Sequence, residues 1–155
     1  RFLNPGAEAV EVYAVAGALV EPDWRDRGLL DTALVTVRFD NGAAGTAEAC
    51  FEAAYGYDVR GEVFGPGGMA TMGDGRRTGM VFSGAAGRLA EIVRGDQELF
   101  AGAYTTELAA FVDAVRAGAT PPVTGQDARA ALAIALAAGA SVTRGGPVRI
   151  AGVDK

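Results

Sequence analysis

The apolar residues change their spacing near residue 95, and this change leaves few folds open to the chain. The clearest segment runs from Thr32 to Phe39, where apolar residues alternate with polar ones, and a second alternating run spans 45–51. Asn41-Gly42 lies between the two runs, which favours a type I′ hairpin because both central residues of that turn need positive φ. Alternation predicts further strands at 10–20, 58–64, 69–72, 79–82, 88–93 and 148–150.

The hairpin register follows if Asn41 and Gly42 form the whole loop. Phe39 then lies opposite Ala44, and Val37 lies opposite Thr46. Neither face of such a pair is cleanly polar. A sheet with apolar residues on both sides usually has both sides covered, and we expect helices on one side and a second chain on the other.

Two helices are predicted after the strands. Apolar residues from Tyr104 to Val115 recur at helical spacing, and Gly118 ends that helix. Thr124 and Asp127 form a capping-box pattern that opens a second helix running to about residue 143. Strands followed by helices indicate an α+β fold, a largely antiparallel open-faced sheet with helices packed on one face, and one domain over residues 1–155.

Composition excludes several classes of site. The 155 residues contain no His, and the single Lys is Lys155, so no Ser-His-Asp or Cys-His relay and no His/Cys zinc cluster can be assembled. A net charge of −5 disfavours nucleic acid as a partner. The longest uncharged apolar segment, near 130–143, is too short to span a membrane. Cys50 is the only cysteine, which fits a reducing compartment and predicts a cytoplasmic protein.

Three short patterns suggest chemistry but have simpler interpretations. The run 65–70 matches G-x-G-x-x-A, yet no helix can follow it, so we expect a hairpin turn and no dinucleotide site. Glu48 and Glu52 share one strand face as a carboxylate pair would, although a solvated face is the commoner explanation. Arg76-Arg77 could hold a phosphate, and an exposed hairpin tip explains the pair equally well.

The cluster Tyr55-Gly56-Tyr57-Asp58-Val-Arg60 is the most suggestive one. Tyrosines two apart on an extended segment project to the same side, and phenol hydroxyls beside a carboxylate and a guanidinium suit a polyhydroxylated ligand. Packing of the two rings on a helix layer is about equally compatible with these residue types.

The same cluster opens a longer pattern, Tyr-Gly-Tyr-Asp-x-Arg-x-Glu-Val-x-Gly-x-x-Gly-Met, which begins at Tyr55. It is preceded by Asp-Thr-Ala-Leu-Val-Thr-Val-Arg-Phe-Asp-Asn-Gly from Asp31 and followed by Ala-Tyr-Thr-Thr-Glu-Leu-Ala-Ala-Phe-Val from Ala103. This ordered succession covers nearly the whole chain. It closely resembles the C-terminal domain of the Gfo/Idh/MocA oxidoreductases, and among them the members that oxidise inositol.

The resemblance implies a two-domain enzyme in which an N-terminal Rossmann domain, absent from this sequence, binds NAD or NADP. The catalytic Lys, Asp and His of the family match nothing in these residues, so the resemblance implies no catalytic, cofactor-binding or metal-binding residue here. It places Tyr57 or Tyr55 at the inner edge of the substrate pocket, with Tyr57 favoured. Asp58 is counted with the two tyrosines as a substrate-binding residue. The resemblance also implies that Asp58 and Arg60 orient the chain segment that carries the tyrosines. The start at Arg1 is interpreted as a cut end.

The expected function is therefore the substrate-binding and homo-oligomerisation domain of an NAD(P)-dependent dehydrogenase. The substrate class is a polyol such as myo-inositol, or a sugar, oxidised at a CH–OH group. The isolated chain is expected to be inactive and to bind neither nucleic acid nor membrane. One alternative is a non-catalytic α+β module that dimerises through its sheet. A second is a carboxylate hydrolase that uses Glu48 and Glu52, which requires the two side chains to line a cleft.

Overall fold

The computed structural model describes residues 2–73 and 75–150, so the cut end expected at Arg1 and the lysine at Lys155 lie outside the described residues. The described strands are β1 (Ala9–Gly17), β2 (Thr32–Phe39), β3 (Ala44–Cys50), β4 (Gly61–Gly65), β5 (Gly68–Met72), β6 (Arg76–Gly84), β7 (Gly87–Ile92) and β8 (Val148–Arg149). The described helices are α1 (Pro22–Asp26), α2 (Asp96–Leu99), α3 (Ala101–Ala117) and α4 (Gly125–Arg144). The α+β class with open antiparallel sheets is confirmed.

The chain divides into two compact units, Arg1–Glu52 with Val123–Lys155 and Ala53–Pro122. We call the first the sheet unit and the second the hairpin unit. The sheet unit contains a four-stranded sheet in the order β3-β2-β1-β8, and the pairs β1–β2, β2–β3 and β1–β8 are antiparallel. The hairpin unit contains the two-stranded pairs β4–β5 and β6–β7.

The core of the sheet unit lies between one face of the sheet and α4. Val12 and Val37 from the sheet and Ala137 from α4 are buried together with Val148 of β8. The small residues of α4 permit this close approach. Ser141 is fully buried on the same helix, accepts a hydrogen bond from the backbone N–H of Ala14 at 2.9 Å and donates to the carbonyl of Gly146 at 2.7 Å. The helix is therefore joined to β1 by a polar contact as well as by apolar packing.

The opposite face of this sheet is open. Tyr13 and Val15 of β1 are 44% and 56% exposed, and Leu34 of β2 is 52% exposed. One helix-covered face agrees with the expectation from the apolar pattern.

The register predicted for the β2–β3 hairpin is wrong by one residue. Val37 pairs with Gly45 and Arg38 with Ala44, so the predicted Phe39–Ala44 and Val37–Thr46 pairs do not form. The N–H of Phe39 donates to the carbonyl of Ala43, which leaves a three-residue loop ending at Gly42 with φ of 86°. Among the described residues only glycines have positive φ, so Asn41 cannot supply the first position of a type I′ turn.

The connection between β1 and β2 is organised by a buried carboxylate. Asp31 is 4% exposed and accepts hydrogen bonds from the backbone N–H groups of Leu19, Val20 and Glu21 at 3.0, 3.0 and 2.8 Å. Burial alone raises the pKa of Asp31, but the hydrogen bonds from these N–H groups and from the Thr32 hydroxyl lower it to about 2. The loop predicted at 22–28 also contains the short helix α1, whose first turn holds a proline, a residue suited to that position.

The predicted helices are confirmed with their caps. Thr124 accepts from the N–H of Asp127, and Asp127 accepts from the N–H of Thr124, so the capping box at the start of α4 is present. Helix α3 ends at Gly118 with φ of 60°, as its sequence predicts. The apolar residues that define α3 are at least 41% exposed, among them Leu108 and Phe111. No described helix is both long enough and apolar enough for a membrane span.

Candidate functional site

The candidate site is built on the segment 55–60 of the hairpin unit. The strand predicted at 58–64 begins only at Gly61. The segment before it opens with a turn in which the N–H of Gly56 donates to the carbonyl of Ala53. Gly56 has φ of 135°, and a Cβ at this position would lie 2.6 Å from Ile92 Cγ2 and 2.7 Å from the carbonyl oxygen of Val93. The N–H of Tyr57 donates to that same carbonyl at 2.9 Å. Glycine is therefore required for the segment to lie against the end of β7.

Asp58 and Arg60 form an ion pair beside Tyr55. The Nε of Arg60 lies 2.6 Å from Oδ2 of Asp58, whose side chain is 10% exposed while that of Arg60 is 65% exposed. The charge of Asp58 and its hydrogen bond to Arg60 raise the pKa of the guanidinium, and the Tyr55 hydroxyl adds to this. The carboxylate of the pair thus lies inside, and the guanidinium faces solvent.

An open depression of about 320 Å³ lies at this ion pair. It is lined by Tyr55, Asp58, Arg60, Gly75 and Ile92. This volume falls at the lower end of the range for small-molecule sites, roughly 300–1,000 Å³. Its lining combines a phenol, a carboxylate, a guanidinium and one apolar side chain, which suits a small ligand carrying hydroxyl groups.

One side-chain atom of Asp58 lacks a hydrogen-bond partner. The Oδ1 atom of Asp58 is buried, and it is the one side-chain polar atom among residues 2–73 and 75–150 that is buried without a partner. A Cβ added to Gly75 would lie 3.2 Å from it, so a bare glycine backbone lies on this side of the carboxylate. A carboxylate oxygen can only accept hydrogen bonds, so the missing partner is a donor.

Tyr57 lies in a different environment from Tyr55. Its ring meets Phe100 edge-on with centroids 6.2 Å apart, and Phe100 meets Tyr104 in the same way at 6.0 Å. The hydroxyl of Tyr104 donates to Asp96 Oδ2 at 3.4 Å. Partial burial, the Asp96 charge and its hydrogen bond raise the pKa of Tyr104. Tyr57 itself is 40% exposed, so it keeps surface available for a ligand.

The structure thus brings Tyr55, Asp58 and Arg60 together. It places Tyr57 in a row of three aromatic rings, Tyr57, Phe100 and Tyr104, which we call the aromatic row. The alternative interpretation, in which the tyrosine rings pack on a helix layer, applies in part to Tyr57, because its ring contacts Phe100 just ahead of α3. Sequence reasoning did not identify Phe100, although its spacing of four residues from Tyr104 is the pattern for side chains that meet on a helix.

The other sequence candidates are less favourable sites. Arg77 is held between two carboxylates, with Nη1 3.0 Å from Glu91 Oε1 and Nε 2.6 Å from Glu98 Oε1, so it is not free to hold a phosphate. Glu48 lies on β3, whereas Glu52 lies beyond the end of that strand, so the predicted shared strand face does not form. Neither glutamate lines the depression described above.

The structure also shows the environment of the glycine-rich run, of Cys50 and of the side chains that could bind a metal. Gly65 pairs with Gly68 at the tip of the β4–β5 hairpin, which confirms a turn at the run 65–70. Cys50 is a free, exposed thiol. Within the described ranges no group of three or more Cys, Asp or Glu side chains could hold a metal ion.

The match to known proteins agrees with the fold. A family model described as "Oxidoreductase family, C-terminal alpha/beta domain", that of the Gfo/Idh/MocA proteins, matches residues 5–150. The chain therefore belongs to the C-terminal domain family of the Gfo/Idh/MocA oxidoreductases.

Relatives within the family include inositol dehydrogenases. The chain is 37% identical over 145 residues to scyllo-inositol 2-dehydrogenase (NAD(+)) of Bacillus subtilis, covering 94% of this chain and 42% of that protein. It is 36% identical over 134 residues to myo-inositol 2-dehydrogenase of Thermotoga maritima, covering 86% of this chain and 40% of that protein. The crystal structure of a myo-inositol dehydrogenase from Corynebacterium glutamicum has 28% identity and a TM-score of 0.87, covering 94% of this chain and 44% of that one. The chain thus spans less than half the length of these relatives.

Proposed function

We propose that this chain is the substrate-binding and oligomerisation domain of an NAD(P)-dependent dehydrogenase that oxidises a CH–OH group of a polyol such as myo-inositol, or of a sugar. The observation that carries the proposal is the Tyr55–Asp58–Arg60 depression within a domain whose relatives include inositol dehydrogenases. The matched relatives are more than twice as long as this chain, which leaves room for an N-terminal Rossmann domain. Its free thiol at Cys50 supports a cytoplasmic location.

The described residues do not fit a dinucleotide. A pyrophosphate site needs a glycine-rich turn that opens a helix, and the only such motif that the sequence suggested is the tip of the β4–β5 hairpin. The sequence also has no histidine to move a proton near neutral pH. We therefore assign the cofactor and the proton transfer to the N-terminal domain, and to this chain the orientation of the polyol and the exclusion of water.

Tyr57, Tyr55 and Asp58 are the proposed substrate-binding residues. Tyr55 and Asp58 line the depression, and Tyr57 follows one residue after the Gly56 turn with part of its ring exposed. A ring polyol offers hydroxyl groups for the phenols and the carboxylate, and an apolar ring face for an aromatic side chain.

Titration of the isolated chain with NAD⁺ and NADH tests the division of labour. We expect no binding at micromolar concentrations and no turnover of myo-inositol, because the cofactor site is assigned elsewhere. Micromolar binding, or turnover by this chain alone, would show that the assignment is wrong.

The role of Tyr57 is testable in the full-length parent protein. Tyr57→Phe removes one hydroxyl and retains the ring contact with Phe100, so we expect a loss of roughly 2- to 10-fold in kcat/KM for the polyol, the size of one hydrogen bond. The thermal unfolding temperature should change little. Unchanged kinetics would remove Tyr57 from the site.

We also propose that the open face of the four-stranded sheet contacts a second copy of the chain. Tyr13, Val15 and Leu34 give this face an exposed apolar surface, and burying such a surface between identical subunits favours association. In the parent protein, Leu34→Glu should shift the mass measured by light scattering towards the monomer. Val123→Glu, at an exposed residue between α3 and α4, is the matched control. An unchanged oligomer in the Leu34 variant would contradict the proposal.

A further inference from the structure

We propose that Asp58 and Arg60 act together as a specificity element that accepts a neutral pair of neighbouring hydroxyl groups and rejects anionic ligands. This inference rests on the proposed polyol dehydrogenase function and refines it. Asp58 supplies the acceptor, because its Oδ1 is buried without a partner in the described part of the chain. Arg60 supplies the donors, because its Nε is committed to Asp58 while most of its side chain remains exposed at the depression.

The unpartnered oxygen sets the first requirement on a ligand. A buried acceptor without a hydrogen bond is costly, and a ligand that donates to it recovers that cost on binding. A hydroxyl group can donate, whereas an ionised carboxylate or phosphate can only accept. Asp58 lines the depression, but Oδ1 itself is closed to solvent. The partner that we assign to it is a hydroxyl of a bound polyol, which reaches Oδ1 when the carboxylate turns towards the depression.

The guanidinium sets the second requirement. Asp58 Oδ2 lies 2.6 Å from Nε, so the positive charge of Arg60 is already balanced by one carboxylate. Arg60 still donates hydrogen bonds from its terminal nitrogens, but the Asp58–Arg60 pair as a whole carries no net charge that would attract an anion. A neutral hydroxyl therefore satisfies Arg60 as well as an anion would, without placing a second negative charge beside Asp58.

Neighbouring hydroxyls meet both requirements at once. On a polyol ring, one hydroxyl of the pair donates to Asp58 while the next accepts from Arg60, and Ile92 supplies an apolar contact for the ring. The depression is thus matched to neutral ring polyols, and a ligand that places a carboxylate or a phosphate against Asp58 and Arg60 is disfavoured.

The test compares a neutral and an anionic ligand in the full-length parent protein. The KM for myo-inositol and the inhibition constant of myo-inositol 1-phosphate are measured for wild type, Asp58→Asn and Asp113→Asn. Asp58→Asn removes the negative charge at nearly constant shape and releases the charge of Arg60. We expect the KM for myo-inositol to rise about tenfold or more and the inhibition constant of the phosphate to fall by a similar factor.

Asp113→Asn is the matched control, because Asp113 also forms an Asp–Arg pair, with Arg116 at 3.8 Å, but on the exposed surface of α3. Both constants should stay near the wild-type values in this variant. A purely structural role for Asp58 would lower the unfolding temperature and weaken both ligands together, so the ratio of the two constants would not change.

The outcomes separate this inference from the proposed function. If the wild-type parent oxidises myo-inositol and Asp58→Asn leaves the ratio of the two constants unchanged, the specificity element is refuted and the dehydrogenase assignment stands. This result would also arise if an internal water fills the missing donor position. If the wild-type parent oxidises no polyol, the proposed function is refuted. Should Asp58→Asn fail to fold, Arg60→Gln gives the second comparison, with weaker binding expected for myo-inositol and no gain for the phosphate.

Discussion

Replacing Gly56 with alanine is expected to lower the free energy of unfolding by about 1.5–4.5 kcal/mol, the sum of two effects. A φ of 135° is costly for any residue with a side chain, and such a position accounts for roughly 1–3 kcal/mol. The new Cβ would also lie 2.7 Å from the carbonyl oxygen of Val93. Moving that oxygen away weakens its hydrogen bond from the Tyr57 N–H, which contributes about 0.5–1.5 kcal/mol.

Two glycines of the same unit allow the two effects to be separated. Gly87 has φ of 117°, and a Cβ added to it would meet nothing within 4 Å, so Gly87→Ala carries the backbone cost without the contact. Gly67 has neither a positive φ nor a near neighbour, and Gly67→Ala should change stability by less than about 0.5 kcal/mol. Equilibrium urea unfolding of the chain, followed by circular dichroism, measures all three variants. If Gly56→Ala destabilises the chain no more than Gly87→Ala does, the argument from close backbone approach is refuted.

Two further predictions concern the sheet unit. Because the pKa of Asp31 is lowered from 3.8 to about 2 in the folded chain, the stability that it contributes is present above pH 4 and is lost as the pH falls towards 2. Urea unfolding at several pH values should show a smaller decrease over this range in Asp31→Asn, and parallel curves would contradict this. Ser141→Ala leaves the N–H of Ala14 without its buried acceptor and should lower the free energy of unfolding by about 1–3 kcal/mol. Thr143→Ala, at an exposed hydroxyl of the same helix, is the control and should lower it by less than about 0.5 kcal/mol. An equally small change in the Ser141 variant would refute the role of its hydroxyl.

The regular elements could be predicted because their signals are local. The capping box at Thr124 and the glycine at 118 each determine a helix boundary through residues within one turn, and both appear in the structure. The hairpin register was missed because Asn-Gly is compatible with two loop lengths. The choice depends on the φ of Asn41, which the sequence does not state; with Gly42 alone at positive φ, the three-residue loop forms.

The candidate site was predicted as a cluster but not in its arrangement. Residue chemistry identified Tyr55, Tyr57, Asp58 and Arg60, since phenols, a carboxylate and a guanidinium within six residues are informative by composition. Their division into a depression and an aromatic row depends on contacts with Ile92 and Phe100, which lie more than thirty residues further along the chain. Periodicity within a short window carries no information about such contacts.

The geometry of the site depends on one buried residue that directly follows β7. Val93 is 4% exposed and is the one buried apolar side chain of the described hairpin unit. Its carbonyl accepts the N–H of Tyr57 at 2.9 Å, and its own N–H donates to the carbonyl of Gly75 at 3.1 Å. Val93 therefore joins the segment that carries the tyrosines to the segment that lies against Asp58. The hairpin unit has so little buried apolar surface that backbone hydrogen bonds and ion pairs must fix the geometry of the site. This explains why the site requires a glycine where its segment lies against the end of β7, and a paired carboxylate where a ligand is proposed to bind.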